Sequence, residues 1–327
     1  QIILEAKNIS KSFGKTQALK NVDFYLNKAQ IHGLLGENGA GKSSLMNILS
    51  GIYQPEGGSI YIEGEKVKKL NPDLAARFGI GMVHQEFRLI NNFSIKDNLT
   101  LSKSNIYKAN FEEAFEKYSE IFSLSAKSSI LINELSVGEK QKIEIIKLIF
   151  NDNNIMLLDE PTAVLTPQET NQLKISLKKL SSEDDKTIVL ITHKLKEIQE
   201  FTESIFVLKD GVMVAKDLKT QNVTNNDLVT LMMGEIKISK IRKDNLKGTN
   251  KLEVKNIFFE NSHSNVPTLE NISLTVQSGE VLGIAGVSGN GQVELANIIS
   301  GIERDYKGKV IVNGKNISNQ GVRARKN

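Results

Sequence analysis

Apolar positions along the chain fall into short continuous runs, separated by stretches in which apolar residues recur three or four positions apart. The strand-like runs are 2–6, 22–26, 30–35, 59–62, 80–83, 155–158, 187–191 and 205–208. Runs of this length bounded by turn residues are strand-sized. Helical spacing lies between several of them. Asn110 followed by Glu113 reads as a capping box, after which Phe111, Ala114, Phe115, Tyr118, Ile121 and Phe122 share one helical face. Thr166, Pro167 and Glu169 mark another helix start, with Leu173, Leu177 and Leu180 as its buried stripe. Strands alternating with helices predict an α/β fold.

The pattern also repeats. Gly33, Gly36, Gly39, Gly41 and Asn47–Ile52 recur as Gly283, Gly286, Gly289, Gly291 and Asn297–Ile302, each pair 250 positions apart (286 against 36, 301 against 51), and the offset persists at Gly58/Gly308 and Gly64/Gly314. A repeat of this kind signals duplicated units. The first copy is expected over 1–236, a linker of mixed charge over 237–250, and the opening part of a second copy over 251–327. That second copy covers about a third of the first, so the chain reads as a fragment of a longer protein, trimmed at Gln1 as well.

Composition narrows the field. The 327 residues suffice for about two domains of roughly 150 residues. A net charge of +4, with 24% charged residues, is too small and too dispersed to indicate a nucleic-acid partner, and the tail Arg323, Arg325 and Lys326 reads as solvated. Without cysteine there is neither a disulfide nor a thiolate metal site. The longest apolar runs are strand-sized, well short of the roughly 20 residues of a spanning helix, so any membrane role is expected to be peripheral.

The chemistry begins at Gly36-Glu37-Asn38-Gly39-Ala40-Gly41-Lys42-Ser43, which fits G-x-x-x-x-G-K-[ST] between a strand (31–35) and a helix (44–50). Glycines there let backbone N–H groups converge on phosphate oxygens, and the helix N-terminus favours the negative charge. Lys42 is expected on the β- and γ-phosphates, with Ser43 on Mg²⁺. Ile155–Glu160 is a buried strand ending in two carboxylates, Asp159 to hold Mg²⁺ through water and Glu160 to accept a proton from the attacking water.

Leu135-Ser136-Val137-Gly138-Glu139, ahead of a helical stretch from Lys140 to Phe150, resembles the signature motif of ABC ATPases, usually Leu-Ser-Gly-Gly-Gln. The rest of that family's order follows. Gln85 in Met82–Glu86 resembles the Q-loop glutamine, which adds a metal-facing and catalytic role. His193 in Ile191–Lys194 resembles the switch histidine, Phe13 in Lys11–Gly14 the aromatic that stacks on adenine, and Thr162–Thr166 the D-loop. The resemblance implies ATP and Mg²⁺ as cofactors, with nucleotide contacts from Gly36 through Ser44, including Glu37, Asn38, Ala40 and Ser44. It further implies an antiparallel β subdomain and an inserted helical subdomain at about 86–140. The wording of residues 135–141, 159–169 and 191–197 is similar to bacterial sugar- and nucleoside-import ATPases with tandem nucleotide-binding domains, closest to the nucleoside importers that pair with substrate-binding lipoproteins. Such a subunit works with transmembrane permease subunits, peripherally on the cytoplasmic face of the cell membrane.

Two departures stand out. Val137 and Glu139 replace glycine and glutamine in the signature, where a branched side chain crowds a γ-phosphate and a carboxylate repels it. In the second copy Gly286, Gly289 and Gly291 are kept, but Gln292 and Val293 stand where Lys42 and Ser43 stand, a degenerate second P-loop. The alternatives are a soluble tandem ABC ATPase acting on ribosomes and a nucleotide-binding regulator that does not hydrolyse ATP. The solute, sugar or nucleoside, stays open.

Overall fold

The computed structural model describes residues 1–101, 109–234, 248–260, 268–286 and 290–325. The linker positions 237–247, Gly289 of the second glycine loop, residues 102–108 of the expected helical subdomain and Lys326 of the basic tail lie outside them. The chain divides into two compact units, Gln1–Lys237 and Ile238–Asn327.

Four strands of the first unit are largely apolar and buried on both faces, as befits the middle of a parallel sheet. These are β3 (Ile31–Leu35), β7 (Ile155–Asp159), β8 (Thr187–Thr192) and β9 (Ser204–Lys209). With β6 (Ile80–Val83) and β10 (Val212–Lys219) they form a six-stranded sheet of order β10-β9-β3-β8-β7-β6, parallel except for the edge pair β9/β10. A second sheet is antiparallel, of order β2-β1-β4-β5, from β1 (Ile2–Phe13), β2 (Thr16–Asn27), β4 (Gly57–Ile62) and β5 (Glu65–Val67).

The eight expected strands all form, but β1 and β2 run to 12 residues where the apolar pattern marks five. Their extra halves each bury a single apolar residue, Ile9 in β1 and Leu19 in β2, among exposed or half-buried positions, so no apolar run marks them. The expectation missed β5 and β10. The Asp210-Gly211 turn into β10 has positive φ at both residues (49° and 78°), the type I′ arrangement that Asp-Gly favours.

One face of the parallel sheet packs with β1, β2 and β4 around α1 (Lys42–Leu49) and α2 (Pro72–Arg77), in a core that includes Phe24, Leu45, Leu157 and Phe206. The other face carries α3 (Ile95–Thr100), α4 (Phe111–Ile121), α5 (Val137–Phe150) and α6 (Pro167–Glu183). There Phe111 stacks on Phe115 (5.8 Å between ring centres) and meets Phe150 edge-on (5.4 Å), which joins α4 to α5. Two further helices, α7 (Leu195–Phe201) and α8 (Asn225–Met233), close a smaller core with Leu35, Ile205 and Val207.

Three helix starts repay comparison with the sequence. α6 begins as expected: the Thr166 hydroxyl accepts from Glu169 N at 3.3 Å while Glu169 Oε2 accepts from Thr166 N at 2.8 Å. The capping box at Asn110 is a correction. Asn110 has φ −128° and ψ 41°, away from the extended conformation that aims a cap side chain at the third helical amide, and it makes no cap hydrogen bond. The helix forms there on its apolar face instead. α5 begins at Val137, not Lys140, because Ser136 and Glu139 form a capping box within the signature-like sequence itself.

The second unit repeats the antiparallel part. β11 (Asn250–Phe259), β12 (Leu269–Gln277), β13 (Lys307–Val312) and β14 (Lys315–Asn316) form a sheet of order β12-β11-β13-β14, with α9 (Gln292–Ser300) and a last turn, α10 (Val322–Arg325). Residues 281–285, the counterparts of β3, form no strand and expose Val281, Leu282 and Ile284. In the first unit β3 lies between β8 and β9; among the described residues the second unit has no such flanking strands.

The contrast between caps is measurable. Thr166→Ala is expected to lower unfolding stability by about 1 kcal/mol, and Asn110→Ala to leave it within about 0.5 kcal/mol. Denaturant unfolding of the two variants checks the difference.

Candidate functional site

The site lies at the carboxyl ends of the parallel strands, where ligands of open α/β sheets bind. β3 delivers the chain into the glycine loop and α1 takes it away. Gly41 caps α1 in the left-handed region (φ 106°), and a β-carbon there would lie 2.5 Å from Ala18 O. A β-carbon on Gly36 would strike Leu208 O. The loop thus fits between β2 and β9 only without side chains at these two positions. Its backbone is tied on both sides, since Gly211 N donates to Ala40 O (3.0 Å) and Lys20 N to Gly211 O (2.7 Å).

A cavity of about 520 Å³ opens over this loop. Asn38, Gly39, Gly41, Lys42, Ser43 and Ser44 line it, joined by Gln85 after β6 and by Asp159 and Glu160 at the end of β7. Segments from across the first copy therefore meet in one place. Lys42 as a residue is 7% exposed, and its ammonium donates to Gly36 O (2.7 Å) and Glu37 O (2.9 Å). Burial holds its pKa below the usual lysine range, against the pull of Glu160, Asp159 and Glu37. Ser43 Oγ donates to Asp159 Oδ2 at 3.3 Å. Burial raises the Asp159 carboxyl; the Ser43 hydrogen bond opposes this, Glu160 adds to it, and Lys42 opposes it.

Glu160 sits one residue beyond β7 with φ 47°, an uncommon conformation for a non-glycine residue. Its Oε1 lies 2.7 Å from His193 Nδ1. A carboxylate can only accept, so His193 Nδ1 carries the proton. His193 is thus one contact away from the cavity rather than in its wall.

Other expected residues stand apart. Phe13 does not line the cavity; it is 43% exposed, edge-on to Tyr53 (5.3 Å), with Lys11 Nζ 5.5 Å from its ring centre. Glu37 and Ala40 line a smaller hollow of about 80 Å³ with Lys209 and Asp210. The residues Leu135, Ser136, Val137, Gly138 and Glu139 form the start of α5, away from the cavity wall. Leu135 and Gly138 are buried and Val137 is exposed, while Glu139 Oε2 accepts from Ser136 N (2.9 Å) and Ser136 Oγ (2.8 Å). In the second unit Gly291 caps α9 with φ 89°, as Gly41 caps α1. Gln292 places its side-chain amide against Gly286, and Val293 is exposed.

The sequence reading missed Thr16, Gln17, Ala18 and Lys20 from the start of β2, and Asp210 and Gly211, all of which line the cavity. Only Asp210-Gly211 left a sequence signal, as an Asp-Gly hairpin turn. It also missed Glu144, a buried acid of α5 that accepts from Arg88 N three residues after Gln85, while Lys147 Nζ donates to Arg88 O at 3.2 Å. Burial pushes the Glu144 carboxyl above its ordinary range.

A strand, a glycine loop gripping a buried lysine, and a second strand ending in two carboxylates define a P-loop nucleotide-binding domain. The family model for the ABC transporter matches residues 19–163 and 269–327, and the chain belongs to that family. Among its relatives are the nucleoside import ATP-binding protein NupA of Lactococcus lactis (36% identity over 98% of this chain and 64% of the relative), the guanosine import ATP-binding protein NupO of Bacillus subtilis (38%, 98% and 63%), and the ribose import ATP-binding protein RbsA of Clostridium tetani (37%, 96% and 62%). The chain spans under two thirds of the length of these relatives. Among solved structures, a nucleotide-free ATP-binding cassette from an ABC transporter matches with TM-score 0.63 and 23% identity, over 72% of this chain and 100% of that one. A dimeric cassette in a post-hydrolysis state bound to ADP and Pi matches with TM-score 0.59 and 28% identity, over 67% and 99%. Among the described residues no helix is long and apolar enough to cross a membrane.

Asp159 gives a pH-dependent expectation. A folded-state pKa above the unfolded one means the native state loses stability as pH rises through the folded value. Asp159→Asn is therefore expected to raise the melting temperature at neutral pH, with the gain fading as pH falls to the ordinary aspartate range. Thermal unfolding of the nucleotide-free protein across pH tests this.

Proposed function

We propose that the chain is the ATP-binding and hydrolysing part of an ABC importer for a nucleoside or a sugar. The observation that carries this reading is the convergence of Lys42, Ser43, Gln85, Asp159 and Glu160 on one cavity, with His193 bonded to Glu160. In this reading the first unit is a complete nucleotide-binding domain over 1–236, and residues from 251 open a degenerate second one. It works at the cytoplasmic face of the membrane, driving transmembrane permease subunits that receive solute from a substrate-binding lipoprotein. The names of the relatives support this assignment, since they include both nucleoside and ribose importers.

The residues fit MgATP. The glycine loop offers its backbone to phosphates with Lys42 as charge partner. Ser43 and Asp159 face each other with hard oxygen donors, as Mg²⁺ prefers, and Gln85 adds a third. When bound, Mg²⁺ neutralises charge between the β- and γ-phosphates. In this reading Glu160, whose carboxylate accepts from His193 Nδ1–H, takes a proton from an attacking water.

The second unit supports an asymmetric pair of sites. Gln292 brings no charge to phosphate and Val293 no hydroxyl to a metal. The two glycine loops are therefore not equivalent toward phosphate and metal.

Lys42→Ala is expected to weaken ATP binding strongly and Gln292→Ala to leave it nearly unchanged; equal losses in equilibrium nucleotide binding would contradict the asymmetry. Glu160→Gln is expected to keep ATP binding and to lower turnover by ~10²-fold or more, since an amide cannot serve as base. Phosphate release from the assembled complex measures this, and wild-type turnover would exclude Glu160 as the base.

A further inference from the structure

Two buried threonines flank the Glu160–His193 contact, and one carboxylate receives both. Thr162 lies two residues after Glu160, and Thr192 immediately precedes His193. Thr162 Oγ1 donates to Glu197 Oε2 at 2.6 Å, and Thr192 Oγ1 donates to the same oxygen at 3.1 Å. The other oxygen, Oε1, accepts from Lys194 Nζ at 2.9 Å, and that ammonium also reaches Thr162 O and Oγ1 at 3.4 Å. Thr192 Oγ1 in turn accepts from Lys194 N at 3.0 Å. Thr162, Thr192 and Glu197 are all buried. Glu197 sits in the first turn of α7 and does not line the nucleotide cavity.

We infer that Glu197 is a positioning residue for ATP hydrolysis, which fixes the segment after β7 to the segment after β8 and so holds Glu160 against His193. The inference rests on the hydrolytic reading of Glu160 and His193 given above. Its physical basis is where the sheet stops. β7 ends at Asp159 and β8 at Thr192, and past the paired strands one backbone bond, Glu160 N to Ile191 O at 2.9 Å, joins the two segments. Beyond that bond they meet through Glu160–His193 itself and through the Glu197 and Lys194 network. Segments outside the ladder are the parts of a fold that shift most easily. A buried acceptor with hydroxyl and ammonium donors on both oxygens resists such a shift, because breaking it leaves desolvated polar groups without partners. Glu160 already holds an uncommon backbone conformation, which persists only where its surroundings determine it.

The signature of a positioning role is a loss of turnover without a loss of nucleotide. The P-loop contacts of Lys42 and Ser43 are untouched by changes at Glu197 or Thr162, whereas displacing a catalytic group by about 1 Å costs on the order of 10²-fold. The test measures ATP turnover and nucleotide affinity of the full-length protein in its membrane complex, for Glu197→Ala, Thr162→Val, Thr162→Ser, His193→Ala and Glu160→Gln. Glu197→Ala and Thr162→Val are expected to lower kcat between ~10- and ~100-fold with KM for ATP unchanged. Thr162→Val, nearly the same shape, covers the case in which Glu197→Ala unfolds the domain. Thr162→Ser, which keeps the hydroxyl, is expected to restore the rate. In a His193→Ala background Glu197→Ala should add less than its own single effect, because both act on one contact. Unchanged kcat in Glu197→Ala and Thr162→Val, with Glu160→Gln and His193→Ala slowed but measurable, would overturn the role of Glu197 alone; so would a fully multiplicative effect in the His193→Ala background. Normal turnover in Glu160→Gln and His193→Ala would overturn the hydrolytic reading, and this inference with it.

Discussion

The loop between β3 and α1 runs through a gap that admits backbone but no side chain at two of its positions, and the rest of the site depends on that fit. Gly36 lies against Leu208 O of β9 and Gly41 against Ala18 O of β2. The parallel and antiparallel sheets therefore press on the loop from opposite sides, and Gly211 joins them with one hydrogen bond to the loop and one from β2. Lys42 follows directly from Gly41, so its ammonium is set by the same contacts. Asp159 and Glu160 are brought in by a different device, the register of β7 on β8. The cavity is thus the meeting of one steric constraint and one hydrogen-bond register.

Legibility in the sequence follows from where each interaction is made. β3, β7 and β8 were plain because burial on both faces leaves an unbroken apolar run. β1 and β2 were half legible, since their solvated faces break that run. Glycine loop, lysine and paired carboxylates stood out because their spacing is local. Glu144 and Glu197 were invisible for the opposite reason. An acid in a helical stretch reads as a solvated side chain, and each of these two has a partner far off in sequence, 56 and 35 residues away. Asn110 shows the converse error, a cap sequence without cap geometry, because Phe111, Phe115 and Tyr118 define the helix start by packing. Ser136 and Glu139 carried a true cap in plain view, hidden by their likeness to a functional motif.

The two units show how much of a strand belongs to its neighbours. Residues 31–35 and 281–285 occupy equivalent places in the repeat and both are rich in apolar residues. Only the first forms a strand, flanked by β8 and β9. A β-strand satisfies none of its backbone groups alone, in contrast to a helix, and α9 forms in the second unit just as α1 does in the first. The antiparallel part of the second unit closes on its own ladder around Val254, Ile257 and Val310.

Glu139 turns its carboxylate back onto Ser136, bonding both that residue's amide and its hydroxyl. The acid has thereby become part of its own helix end. The first turn of α5 is tied down by its own cap, and a surface docking there would give up little further conformational freedom in this turn. The outline the turn presents is the exposed Val137 beside a carboxylate whose hydrogen bonds are already made within the turn.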